Sequence, residues 1–240
     1  MTQDWHYTDL IKAHKILMRR EERFRFYESY MTSREPNAWF LSPIVPLREG
    51  LLLFGWVNSW DPNYTGELID FLRIYEDLFQ HFKRFEHQRI IDVDFTKDVK
   101  DGICFVFDKI ANCTKLNQGK KKFESTDTSK VLHGIVPELF VMWDKRIKAG
   151  LRNEGLLNKR RIGPRDFDGS CYAYELMPGM QRWAKIFLGT YVKENGGNNE
   201  SACAEISKMA DGYTFAKLLD ELNYLRFTLR MKIEDIRSVQ

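Results

Sequence analysis

Paired cysteines are missing from this sequence. Its four, Cys104, Cys113, Cys171 and Cys203, stand far apart with no C-x-x-C spacing. That excludes a zinc ribbon, a dithiol redox motif, a four-cysteine iron–sulfur pattern and a secreted disulfide framework. The four read as small buried hydrophobes in a reducing, cytoplasmic setting. Long apolar runs are missing too. The longest, Leu51 to Val57, is too short to cross a bilayer. The start, Met1-Thr2-Gln3-Asp4-Trp5, lacks the charged and apolar regions of a signal peptide. No membrane partner is expected. There is little excess of charge of either sign: a net +3 leaves nucleic-acid binding to a local basic face.

The familiar chemical signatures are absent as well. The chain has no G-x-G-x-x-G or Walker A loop to cradle a nucleotide, and no G-x-S-x-G elbow. Its histidines, His6, His14, His81, His87 and His133, show no H-E-x-x-H or other tight ligand spacing. No metal or cofactor is therefore expected. Asp92 and Asp94 alternate on the one β-like piece, Arg89 to Phe95, and would share a face there. A third ligand does not follow, so a solvated face competes with a metal pair. His133 lies on an apolar helix, where a hydrogen-bonded core histidine competes with a ligand or base.

What is present is helical periodicity over a chain of 240 residues, 43% of them hydrophobic and 14% aromatic, enough for a large core. Helices are expected over Tyr7 to Met31, Leu47 to Trp60, Thr65 to His87 and Thr96 to Cys113. Further ones are expected from near Ser129, after Asp144, over Tyr172 to Lys193 with a break at Pro178-Gly179, over Glu200 to Ala210, and over Thr214 to Arg230. Thr32 to Pro46 reads as an irregular connection, and the Leu47 helix as buried nearly all round. The fold class is all-α with roughly eight helices. The expected organisation is an N-terminal helical lobe (1–95), a lobe carrying the hairpin and the key aspartate (96–195), and C-terminal helices packing back on the core (196–240).

Asp144 organises the central stretch. An apolar helix runs into Pro137, Leu139-Phe140-Val141-Met142-Trp143 follows, and Asp144 precedes a basic helix with Lys145, Arg146 and Lys148. Aspartate is a favoured N-cap, and its charge suits the positive end of the helix dipole. A fixed carboxylate at the edge of apolar surroundings is the build of a catalytic acid as well as that of an ordinary cap.

This order, helix, proline, apolar segment, aspartate and basic helix, resembles the helix-hairpin-helix superfamily of base-excision DNA glycosylases. The resemblance covers about residues 47–190 and extends to the helix ending in Asn58-Ser59-Trp60, which is similar to an early family helix that faces DNA. It implies a two-lobed glycosylase-like fold, DNA as partner, and Asp144 as the catalytic carboxylate. Lys130, fourteen positions upstream, is the nearest candidate for the lysine of the lyase-competent members. The chain departs from the family pattern at the hairpin, where Gly119 and Gly134 stand alone instead of forming a Gly-x-Gly turn. Extruding a base requires an aromatic slot; Trp56, Trp60, Trp143 and Tyr172 are the candidates, with core packing the competing role. Lys120, Lys121, Lys122, Lys145, Arg146, Lys148, Arg160 and Arg161 are the candidate phosphate contacts. The alternative function is a non-enzymatic helical module that binds nucleic acid or a protein partner. The sequence leaves the oligomeric state open.

Overall fold

A computed structural model describes residues 4–20, 22–35, 37–44, 47–60, 68–113, 125–157 and 169–239. The described residues are mostly helical and include no strand. The first part holds α1 (Tyr7–Arg20), α2 (Glu22–Ser33), α3 (Ala38–Leu41), α4 (Leu47–Trp60), α5 (Leu68–Lys83) and α6 (Lys97–Cys113). Then come α7 (Ser125–Ile135), α8 (Lys145–Asn153), α9 (Gly169–Cys171), α10 (Met177–Asn195), α11 (Asn199–Met209), α12 (Phe215–Asn223) and α13 (Ile233–Arg237). A π-helical turn, Tyr172–Leu176, leads into α10, and a second, Tyr224–Thr228, continues α12. None of these helices is long and apolar enough to cross a membrane.

Helix α1 buries Leu10, Ala13, Ile16 and Leu17 along one stripe and packs on α10, α11, α12 and α13. The two ends of the chain are thereby joined. Buried Asp9 ties them further, with both carboxylate oxygens 2.8 Å from the Arg237 guanidinium of α13. Helix α12 is the innermost element: all nine of its residues are buried, including Lys217, Asp220, Glu221 and Asn223. Around it one continuous apolar core runs from Trp5 to Ile236.

Several expectations are corrected. Arg89 to Phe95 is a turn, not a strand. Asp92 and Val93 donate their amides back to Arg89, and Ile90 makes a single 2.9 Å bond to the Glu138 carbonyl, with no ladder. Asp92 is ion-paired to Arg89, and no cluster of three ligating side chains exists among the described residues. Within Tyr7–Met31 both described stretches, Tyr7–Arg20 and the start of Glu22–Ser33, are helical, whereas Thr214–Arg230 divides into α12 and a π turn. Helix α7 begins at Ser125, and α3 forms within the expected irregular connection. Helix α4 is not buried all round, since Leu47 is 59% and Leu51 49% exposed.

The expected break at Pro178 is instead the start of α10. Proline lacks an N–H and crowds the carbonyl four residues back. The wide turn immediately upstream takes up that mismatch, with the Met177 amide reaching the Tyr172 carbonyl. Cys104, Cys171 and Cys203 are free thiols.

Candidate functional site

The approach to Asp144 is anchored carbonyl by carbonyl. After α7 the chain turns at Val136 and runs buried, without regular secondary structure, from Phe140 to Trp143. The Thr214 hydroxyl donates to the Pro137 carbonyl at 2.8 Å, and the Tyr172 hydroxyl to the Val141 carbonyl at 2.7 Å. His133 Nδ1 lies 2.6 Å from the Phe140 carbonyl, which can only accept, so Nδ1 carries the proton. Its Nε2 then accepts from the Tyr27 hydroxyl at 2.8 Å. Burial pushes the imidazole down to about 3, so it is neutral. His133 is thus a hydrogen-bonded core histidine that fixes the turn to α2. The Ser129 hydroxyl donates to the Thr126 carbonyl at 2.7 Å and accepts from the Trp143 amide at 3.3 Å.

Asp144 emerges half-buried from this support as the N-cap of α8. Its Oδ1 accepts from the amides of Arg146 and Ile147, both at 2.7 Å. Its Oδ2 accepts from the Thr228 hydroxyl at 2.6 Å. Thr228 is held from the other side too, its carbonyl accepting from Arg146 Nη1 at 3.0 Å. The second π turn is therefore clamped to the start of α8. A carboxylate held by three donors keeps one orientation.

Helix α12 carries a set of buried charges centred on Lys217. Its ammonium is 2.7 Å from Asp220 Oδ2 and 3.7 Å from Glu221 Oε1, and it sits over the rings of Tyr27 and Trp60. Glu221 Oε2 lies 2.9 Å from His14 Nδ1, and His14 Nε2 lies 3.2 Å from exposed Asp211. Acid and base thus alternate from the surface inward: Asp211, His14, Glu221, Lys217, Asp220. Burial pulls the His14 imidazole down, but the hydrogen bonds and charges of Glu221 and Asp211 outweigh it, and the net shift is upward. Asp220 is pushed up to about 6 by burial, with Lys217 opposing and the charges of Glu221 and Asp144 adding to the rise.

The expected site residues separate into groups. Lys130 is 7% exposed and its ammonium is 3.2 Å from buried Asp127, inside the fold. Trp143 is buried edge-on to Tyr172, with ring centres 5.5 Å apart. Trp56 is buried elsewhere, stacked on Tyr30 at 5.0 Å and near Tyr27. Trp60 alone of the four is half-buried, edge-on to Tyr224 at 6.3 Å. The four aromatics do not converge on one slot. Lys145 and Arg146 are exposed beside Asp144, whereas Lys148 is buried over the Trp143 ring at 5.2 Å. Lys120, Lys121, Lys122, Arg160 and Arg161 lie outside the described residues.

Gly134 serves packing. A Cβ there would stand 2.4 Å from Leu53 Cδ1, so the glycine allows α7 to approach α4 closely. Sequence reasoning missed Thr228, Lys217, Asp220 and Glu221 altogether, and gave His14 no role. The one available signal was Lys217-x-x-Asp220-Glu221 inside an apolar helix. Comparison with family models, with curated proteins and with solved structures finds no match to this chain.

Proposed function

We propose that this protein is a DNA-binding N-glycosylase in which Asp144 is the key carboxylate. Breaking the bond between a base and its sugar builds positive charge on the sugar. A charged group fixed beforehand stabilises that charge without reorganising when the reaction occurs. The observation that carries the proposal is the state of Asp144: half-buried, and oriented by two helix amides and the Thr228 hydroxyl. The exposed Lys145 and Arg146 beside it supply positive charge for a phosphate backbone. Lys130 has no part in the chemistry here, because its ammonium is engaged by Asp127 within the core.

A second function, a non-enzymatic helical module that binds nucleic acid or a protein, is favoured by one observation. Trp56, Trp143 and Tyr172 are core residues, so they cannot line a base pocket without repacking. The deciding experiment is incubation with duplexes carrying single damaged or mismatched bases, scored for abasic sites. Base release from any of them supports the enzyme; binding without release, across the panel, leaves the module.

A further inference from the structure

The two buried histidines have opposite hydrogen-bond demands. His133 lies between a carbonyl that only accepts and a hydroxyl that can donate, so its neutral form satisfies both ring nitrogens. His14, buried on α1, lies between two carboxylates: Nδ1 is 2.9 Å from Glu221 Oε2 and Nε2 is 3.2 Å from Asp211 Oδ2. An ionised carboxylate only accepts, and a neutral imidazole carries one N–H. Both contacts are hydrogen bonds only when His14 is the imidazolium with a proton on each nitrogen. The partners differ in their access to water. Glu221 is buried with its other oxygen 3.7 Å from Lys217, whereas the Asp211 side chain is 76% exposed. Asp211 stands in the turn between α11 and α12, where the Gly212 amide donates to the Ser207 carbonyl and the Tyr213 amide to the Ala210 carbonyl, both at 2.9 Å. Its φ of +53° is a left-handed conformation that aspartate tolerates better than most residues. Three positions on, Thr214 caps α12 and holds the Pro137 carbonyl on the approach to Asp144.

We propose that His14 is a pH-operated latch between α1 and the α11–α12 turn, closed as the imidazolium and opened by loss of one proton to solvent. The N–H that remains stays with Glu221, which has no water to turn to. Nε2 then presents a lone pair to the Asp211 carboxylate, and Asp211 swings out into solvent. Tyr213, its ring 4.5 Å from His14 and its hydroxyl 3.5 Å from Met18 Sδ, keeps the opening local. The surroundings offer His14 no substitute partner. From α12 come Glu221 and, beyond it, Lys217 and Asp220; from the turn come Asp211 and Tyr213. From α2 come Tyr27, 5.3 Å from the Tyr213 ring, and the charge of Glu28 acting on Tyr213. The groups that α10 and α13 bring to α1 are engaged at its N-terminal end, Glu194 with His6 and Arg237 with Asp9. Among the described residues His14 makes no other hydrogen bond or ion pair. Burial lowers the affinity of His14 for its proton, but the hydrogen bonds and charges of Glu221 and Asp211 outweigh it, so the latch opens above the ordinary 6.5. It operates whether or not Asp144 takes part in catalysis.

The test follows the full chain by NMR from about pH 5.5 to about pH 9. The His14 ring nitrogens report its protonation, and hydrogen-exchange protection of the Gly212 and Tyr213 amides, corrected for the intrinsic pH dependence of exchange, reports the turn. In wild type, protection is expected to fall about fivefold as His14 loses its proton, the upper range for an ion pair with one partner in water. Asp211→Asn is the deciding variant. Asparagine tolerates the left-handed turn as well, and its amide accepts from the charged ring or donates to Nε2 of the neutral one. Protection in Asp211→Asn is therefore expected to stay level across the range, while the His14 midpoint falls because a countercharge is gone. His14→Gln, which does not titrate, is expected to show low protection at every pH; if it does not fold, wild type and Asp211→Asn decide between them. Wild-type protection that is flat with pH overturns the latch. So does a loss in Asp211→Asn that matches wild type, or a His14 ring that is neutral at the acid end.

Discussion

Replacing Asp220 by Asn is expected to make the fold more sensitive to acid, by an amount set by two buried groups of opposite behaviour. His133 is held down to about 3 against an ordinary 6.5, so between those values the unfolded chain binds a proton that the folded chain does not. Stability from this group is present above 6.5 and is lost as pH falls. Asp220 is raised to about 6 from 3.8, so over that span the folded chain binds a proton that the unfolded chain does not. Its contribution is full below 3.8 and is lost as pH rises through 6. Each unmatched proton is worth about 1.4 kcal/mol per pH unit. From pH 6 to pH 4 the two cancel, and the wild-type curve carries no slope from them. His14, whose shift is upward from 6.5, titrates above this window and leaves the cancellation intact. Asp220→Asn removes one side of the balance. It is expected to lose about 2 to 3 kcal/mol more than wild type on going from pH 6 to pH 4. Urea unfolding at half-unit pH intervals measures the difference. Parallel curves for the two proteins would refute the assigned protonation states.

Gly134→Ala drives a methyl into Leu53 at 2.4 Å and is expected to cost about 1 to 3 kcal/mol in thermal or urea unfolding, as overpacking does. Thr228→Val removes the hydroxyl that donates to Asp144 while keeping the side chain's shape. A stability loss of about 1.5 to 3 kcal/mol is expected, with Thr228→Ser near wild type. Duplex binding is expected to weaken steeply with salt, each phosphate contact adding roughly 0.9 to the log–log slope, so Lys145→Ala should reduce the slope by about that much.

Asp144 and the helix behind it were legible because every signal was local. A cap residue, a dipole-compatible charge and a basic amphipathic helix all fall within ten positions. The structure fills that cap with two amide bonds. The helical class was legible for the same reason, since periodicity needs only a window of residues. Lys217, Asp220 and Glu221 were hidden because an i,i+3 and i,i+4 charge pattern looks the same on a solvated face and in a core. What separates the two is burial, and the partner that reveals it, His14, lies 207 residues away. Thr228 was invisible likewise, since only the packing of the second π turn against α8 brings its hydroxyl to Asp144, 84 residues off. Arg89 to Phe95 misled because alternating Asp and apolar residues over so short a run also fit a turn tied down by its own backbone. Trp56, Trp143 and Tyr172 were ambiguous for a different reason: an aromatic suited to a base pocket is also the best filler of a core.

The central claim rests on the charge of Asp144, and Asp144→Asn removes that charge while keeping the side chain's shape. Asparagine is as good an N-cap as aspartate, so the two amide bonds to α8 are kept. Stability should fall by about 1 to 3 kcal/mol, because the dipole interaction is lost and the Thr228 hydroxyl loses its charged acceptor. Single-turnover base release by wild type and Asp144→Asn, on whichever duplex of the panel wild type cleaves fastest, is the direct test. A loss on the order of a hundredfold or more, with duplex binding kept or tightened, is the predicted result. Equal rates from two folded proteins would contradict it and leave Asp144 as the cap of α8 alone.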